Sequence, residues 1–285
     1  RVLRVMRRDP SREADASPSS RWTLKRIRQS CDWLQLETDS GMAQLLDRIG
    51  LSYTRGRTFV ESPDEDFDEK CRYLDRLQTW VAEDESQRVV YLDELQYYKH
   101  PEPGCGWEAR GCQPTVDRPT ASKYDWSRHV LAAVGADRGQ LTWHQAPGID
   151  RDMLRTWYHH LVEIHSEVDR LWIHLDNWPV HFHIDVLKSL ESQRWPWTFR
   201  SPPNWPDPSE AAEHPGDLPV QLVPFPVYAS WLNPVERLWR QLKRQVLALH
   251  RDALEPDRLV ERVEAFFNMR EGNPSQVLRE VGLSS

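Results

Sequence analysis

Apolar residues along the chain recur with two different periods. Trp22, Leu24, Ile27, Cys31 and Leu34 fall at near-helical spacing, the stripe of an amphipathic helix. A polar break, Glu37-Thr38-Asp39-Ser40-Gly41, separates them from Met42, Leu45, Leu46 and Ile49, a second short helix closed by Gly50. Residues 51–59 then read as a basic, hairpin-like segment. Helix, turn, helix and basic wing is the order of a winged helix-turn-helix, which predicts a small DNA-binding domain over 20–62. Its basic residues are Lys25, Arg26, Arg28, Arg48, Arg55 and Arg57. Before it, residues 1–19 are Arg-rich, then rich in Ser, Pro and Asp, without periodicity; they read as a flexible basic arm. After it, Phe67, Cys71, Leu74, Leu77 and Val81 return every three or four residues, so the acidic segment 63–86 reads as one amphipathic linker helix.

From residue 87 onward the period alternates. Arg88–Tyr98 is a β-rich run, and Val130–Ala136 and Gln140–Gln145 read as strands joined by a turn at Asp137-Arg138-Gly139. Asp150–Val168 is helical, Leu171–Asp176 is another apolar run ending in an acid, and Val180–Leu190 is a short helix. The stretch 195–226 holds 9 of the 21 prolines and reads as loop, ending in a strand at Val220–Val223. Asn233–His250 carries Val235, Leu238, Trp239, Leu242, Val246 and Leu249 on one helical face, and a final helix is expected over Asp257–Met269. The pattern is a mixed α/β domain over 87–285.

Charge sharpens this division. The 285 residues carry a net charge of −7, which argues against a plain polybasic coat for DNA or membranes. The charge is segregated, however: about +5 over 1–60, −7 over 61–86 and −5 over 87–285, counted along the chain. Four scattered cysteines suit reduced thiols in a cytoplasmic protein rather than a disulfide framework. No apolar run reaches the ~20 residues of a membrane span, and the start shows no signal-peptide pattern.

Three carboxylates stand where chemistry is done. Asp93 follows Val89-Val90-Tyr91-Leu92 and Asp176 ends Leu171–Leu175, both where a buried strand meets an edge or loop. Glu236 sits in the first turn of the Asn233–His250 helix. Three converging carboxylates can hold two divalent cations about 3.5–4 Å apart, and hard oxygen donors select Mg²⁺ or Mn²⁺ over zinc. Each residue has a plainer role open to it. An acid at a strand end is commonly just solvated, and Asn233-Pro234-Val235-Glu236 has the layout of a capping box. The polar face of that helix, Arg237, Arg240, Lys243 and Arg244, suits either solvent or phosphate. His181, five residues past Asp176, is a candidate support for the acid or a substrate contact; no zinc spacing is present.

The full strings narrow these choices. Tyr91-Leu92-Asp93-Glu94, Gly106-Trp107-Glu108-Ala109-Arg110-Gly111, Leu175-Asp176-Asn177-Trp178-Pro179-Val180-His181 and Tyr228-Ala229-Ser230-Trp231-Leu232-Asn233-Pro234-Val235-Glu236-Arg237-Leu238-Trp239 occur in this order. Together they resemble the DDE transposases of bacterial insertion sequences in the mariner superfamily, the insertion sequence 630 family, over about residues 20–270. The resemblance implies a ribonuclease H-like catalytic domain, a mixed central sheet flanked by helices. It implies Asp93, Asp176 and Glu236 as catalytic metal ligands for two Mg²⁺ or Mn²⁺ ions, with Asn177, His181 and Asn233 supporting them. The implied reaction cuts double-stranded DNA at terminal inverted repeats and joins the 3′-ends to a target, expected to be TA, as a homodimer acting on the bacterial nucleoid. The chain departs from the family in its long Asp176–Glu236 interval, in Ala229-Ser230-Trp231 before Leu-Asn-Pro, and in lacking an upstream first helix-turn-helix beyond residues 1–19. An inactive or domesticated protein that binds transposon ends, and a structure-specific ribonuclease H-like nuclease, remain the alternatives.

Overall fold

The computed structural model describes residues 1–7, 22–53, 62–116 and 122–284, and it divides into two compact units, Arg1–Phe59 and Val60–Ser285. In the first unit, α1 (Val2–Met6), α2 (Leu24–Ser30) and α3 (Asp39–Arg48) share a small core of Val2, Val5, Ile27, Cys31, Met42 and Leu46. Local chemistry sets the helix starts. The Thr23 hydroxyl accepts the Arg26 N–H at 3.3 Å and the Thr38 hydroxyl accepts that of Gly41 at 3.1 Å, each side chain satisfying an orphan amide of the first turn. Gly50, with φ +75°, takes the left-handed conformation beyond the end of α3. The expected arm differs in its first residues: Val2–Met6 is helical, because Val2 and Val5 have apolar partners in this core. Residues 8–21, and the part of the expected wing from residue 54 to 59 with Arg55 and Arg57, lie outside the described residues.

The second unit is built on a five-stranded sheet of order β3-β2-β1-β4-β5, with β1 at Gln87–Tyr98, β2 at Ser127–Gly135, β3 at Leu141–Ala146, β4 at Arg170–Leu175 and β5 at Val220–Pro224. The β1–β2 and β2–β3 pairings are antiparallel; β1–β4 and β4–β5 are parallel. Helices cover both faces, so the central strands are apolar on both sides. One core holds Val89, Tyr91, Leu95 and Tyr97 of β1 against α4 (Phe67–Ala82), α7 (Glu236–Leu242), α8 (Pro256–Glu271) and α9 (Pro274–Val281). The other holds Val90 and Leu92 against α5 (Arg151–Ile164) and α6 (Ile184–Leu187).

Elements of the second unit also depart from the sequence reading, and the helix expected over Val180–Leu190 is split into a 3-10 turn, Pro179–Phe182, and the short α6. The acidic helix expected as a linker is α4, and it belongs to this unit. It buries Leu74, Leu77 and Val81 in the first core, and Asp64 just before it accepts the Val227 N–H at 2.9 Å and pairs with Lys70 at 2.8 Å. The helix expected to run to His250 ends at Leu247 in a π-helical turn, Lys243–Leu247. It stops there because Ala248 turns extended and forms a bridge with Glu102: the Glu102 N–H donates to Leu247 O at 2.9 Å and the Leu249 N–H to Glu102 O at 3.0 Å. Helix α9, with Asn273 accepting the Gln276 N–H as its cap, adds a short element that the sequence reading left out.

Candidate active site

The parallel register of β1 and β4 pairs Tyr91 with His174. Two residues further along stand Asp93, on β1, and Asp176, one residue past the end of β4, so the register brings the two carboxylates to one level. Asp93 is buried, 7% exposed. Burial first, and then repulsion from Glu94, Glu236 and Asp176, hold its carboxyl well above the usual range, against the stabilising bond it accepts from the Trp239 indole N–H at 2.7 Å. Asp176 is raised for the same reasons, burial and then Glu94, opposed by His181 and by the Trp178 N–H that its Oδ1 accepts at 2.8 Å.

Glu236 stands at the start of α7, near enough to Asp93 and Asp176 for their charges to act on one another. Its carboxyl is raised by burial and by Asp176, while Lys243, Arg240 and a bond from Ser230 oppose the shift. The capping-box role is not the one it plays. The Asn233 N–H, which a capping Glu would accept, donates instead to Ser230 O at 2.9 Å. Asn233 does cap the turn, accepting the Val235 N–H at 3.1 Å, and with its other end donates to Leu92 O at 2.9 Å. One side chain therefore ties the start of α7 to β1 next to Asp93. Asn177 donates to Phe225 O at 2.5 Å, joining the turn after β4 to the end of β5.

On the opposite face of β1, Glu94 meets His181. The imidazole is fully buried, with Nε2 2.6 Å from Glu94 Oε1 and Nδ1 2.8 Å from the Tyr158 hydroxyl. Burial disfavours the charged ring, but Glu94 and Asp176 outweigh it and raise its pKa. Glu94 and Trp239 are the side chains in contact with this cluster that the sequence reading did not single out. Glu94 adjoins Asp93 in the same string but points to the other face, and Trp239 reads as one more apolar position of an amphipathic helix.

The basic candidates divide by unit. Arg240, Lys243 and Arg244 lie on α7 and its π-helical turn; the first two are near enough to Glu236 to stabilise its charge, and Arg240 and Arg244 are exposed. In the first unit Lys25 and Arg48 are exposed, while Arg28 pairs with Asp39 at 3.0 Å. Arg26 is half-buried on α2. Beside Asp176 opens a cleft of about 750 Å³, lined among others by Trp178, Arg200, Tyr228 and Trp231.

This donor set suits a hard divalent cation. Asp93, Asp176 and Glu236 offer only carboxylate oxygens; burial makes each costly as a bare charge, with Glu94, Glu236 and Asp176 adding to the cost at Asp93, Glu94 at Asp176 and Asp176 at Glu236, and a cation relieves that cost. All four cysteines are thiols, and among the described residues no helix is long and apolar enough to cross a membrane.

Comparison with known proteins matches residues 88–259 to a family model, the DDE superfamily endonucleases. The insertion element IS630 uncharacterized 39 kDa protein of Shigella sonnei is 23% identical over 163 residues, 57% of this chain. The match spans only 39% of that relative's length. Among solved structures, the Mos1 transposase paired-end complex with left transposon end superposes with a TM-score of 0.53 at 13% identity, over 93% of this chain and 76% of that one. The Mos1 mariner paired-end complex with Mn gives 0.51 at 13% identity, over 93% and 75%. These similarities are of fold: a mixed α/β sheet flanked by helices.

Proposed function

Since the chain belongs to the DDE superfamily of endonucleases, we propose that it is a DNA transposase. It cleaves the terminal inverted repeats of its element and joins the 3′-ends to target DNA, TA being the expected target. In this reading the second unit is a ribonuclease H-like catalytic domain and the first a helix-turn-helix that reads the repeat through Lys25, Arg26, Arg28, Arg48, Arg55 and Arg57. The observation that carries the reading is that Asp93 on β1 and Asp176 just past the parallel neighbour β4 stand close enough to Glu236 of α7 for their charges to interact. The Mos1 neighbours, described as transposon-end complexes, one of them with Mn, support DNA ends as the substrate and a divalent ion as the cofactor.

The work divides among the residues as follows. Asp93, Asp176 and Glu236 hold Mg²⁺ or Mn²⁺, two ions per site, through carboxylate oxygens. Bound there, the ions supply Lewis acidity at the scissile phosphate and ease deprotonation of the attacking water or 3′-hydroxyl. Trp239 fixes one oxygen of Asp93, and Asn233 fixes where α7 begins relative to β1, so Glu236 arrives at a set position. Arg240, Lys243 and Arg244 attract phosphates to the rim of the acidic site. A homodimer would pair the two ends.

The test is cleavage of duplex DNA carrying the inverted repeats that flank the reading frame, with Mg²⁺ or Mn²⁺. Wild type is expected to cut at the repeat ends, and Asp93→Ala, Asp176→Ala and Glu236→Gln to lose cutting while still binding the repeats. Normal cutting by those variants overturns the triad. Repeat binding without nicking under any metal indicates an end-binding protein instead, and structure-directed cutting indifferent to the repeats indicates a nuclease.

A further inference from the structure

We propose that Glu94, Asp176 and His181 form a second cation site, suited to Zn²⁺ or Co²⁺, on the face of β1 opposite Asp93. One ligand atom from each of the three lies within 4.8 Å of the others. Among the described residues this is the one cluster of His, Cys, Asp and Glu that gathers so tightly. Its centre is an imidazole held as metal-binding imidazoles are held: one ring nitrogen fixed by an outer partner, the other presented to the ligand. Here the outer partner is the Tyr158 hydroxyl, 2.8 Å from Nδ1, and Tyr158 is itself fully buried on α5. His181 is fully buried, and Nε2 is aimed at the Glu94 carboxylate, 2.6 Å away.

The donors set the preference. One imidazole nitrogen and two carboxylate oxygens match the three-ligand zinc sites that keep a fourth position for solvent or substrate. Mg²⁺ favours an all-oxygen octahedral shell and is disfavoured by the imidazole. Bonds of ~2.0–2.1 Å from a shared ion to both Nε2 and Oε1 ask the present 2.6 Å contact to open slightly. Asp176 contributes the oxygen not engaged by the Trp178 N–H. It also lines the cleft with Trp178 and Arg200, which gives the fourth position an outlet. Because Asp176 belongs to both sets, an ion on the His181 side competes for it with the ions of the triad. That consequence, zinc holding the active site off, rests on the triad reading; the binding itself does not.

The experiment uses the full chain with Cys105→Ser and Cys112→Ser, since these exposed thiols also take zinc. Co²⁺ alone is titrated and followed by its visible absorption, then displaced with Zn²⁺, in the absence of DNA. Circular dichroism checks each variant's fold. The expected result is a set of visible bands that excess Mg²⁺ does not remove and Zn²⁺ does. His181→Gln should weaken binding by about 100-fold and Tyr158→Phe, which keeps all three donors, by about 10-fold. Asp93→Asn should keep the bands. The proposal is overturned if wild type shows no bands, if folded His181→Gln binds as tightly as wild type, or if Asp93→Asn loses the bands and His181→Gln retains them. No step of this measurement involves cutting, so it fails or succeeds apart from the transposase reading.

Discussion

Asp93 and Glu94 are neighbours on one strand, and the two faces of β1 treat them in opposite ways. Asp93 faces other acids and receives a single neutral donor, the Trp239 indole N–H. Glu94 faces His181, an imidazole whose pKa is raised by that contact, braced from behind by Tyr158. One face leaves negative charge unbalanced, which costs folding free energy and makes a place for an external cation. The other face sets its acid against a histidine that offsets the charge until an outside cation takes its place. A strand that alternates faces every residue can thus hold an all-acid setting and an acid–imidazole setting one residue apart.

The largest test of this contrast is catalytic. Replacing an acid of the unbalanced face, as in Asp93→Ala, should lower metal-supported DNA cutting by on the order of 10³-fold, about 4 kcal/mol of barrier, read as single-turnover cleavage on gels. Breaking the balanced face should appear in stability. His181→Ala leaves Glu94 buried without its cation and should cost about 3 kcal/mol in urea unfolding near neutral pH. The sign with pH follows from linkage. A histidine whose folded pKa is raised contributes stability that is fully present below its unfolded pKa and is lost as pH rises through the folded value. The gap between wild type and His181→Ala should therefore narrow at alkaline pH; a constant gap would show that lost packing, not charge, is responsible.

The smallest expected effect runs the other way. A carboxyl whose folded pKa is raised destabilises the folded chain as pH climbs from its unfolded value, ~3.9 for Asp, through the folded one. Asp93→Asn removes that penalty while its side-chain oxygen can still accept the Trp239 N–H. In the absence of divalent ions it should stabilise the protein at neutral pH by about 1 kcal/mol and have little effect near pH 3, measured by thermal melts across pH. Mg²⁺ should raise the melting temperature of wild type and do so less in Asp93→Asn. If Asp93→Asn destabilises at neutral pH, the unbalanced face is not unbalanced.

These contrasts explain what the sequence could and could not reveal. Asp93 and Asp176 were visible because each ends or follows an unbroken apolar run, a pattern that depends only on local order. Glu236 was visible but carried a rival explanation, a capping box, and only the direction of the Asn233 N–H, toward Ser230, removes it. Glu94 was not visible as a functional group, since its partner lies 87 positions away and its face of the strand is fixed by tertiary packing. Trp239 was hidden by its own hydrophobicity: the periodicity that puts it on the buried face of α7 says nothing of where its N–H points. The premature end of that helix at Leu247 follows from a bridge to Glu102, a long-range pairing that no helical periodicity foretells.

The two hydrogen bonds of Asn233 also bear on how such a chain can change over time. Leu92 O fixes one end of the amide and Val235 N–H the other, while pairing with β4 fixes β5 upstream. The long proline-rich excursion between Asp176 and Asn233 begins and ends on anchored ground. Added length there costs only the slowly growing entropy of a longer loop, roughly 0.6 kcal/mol per doubling. Changes of length in this stretch should therefore leave the start of α7, and with it Glu236, where it is.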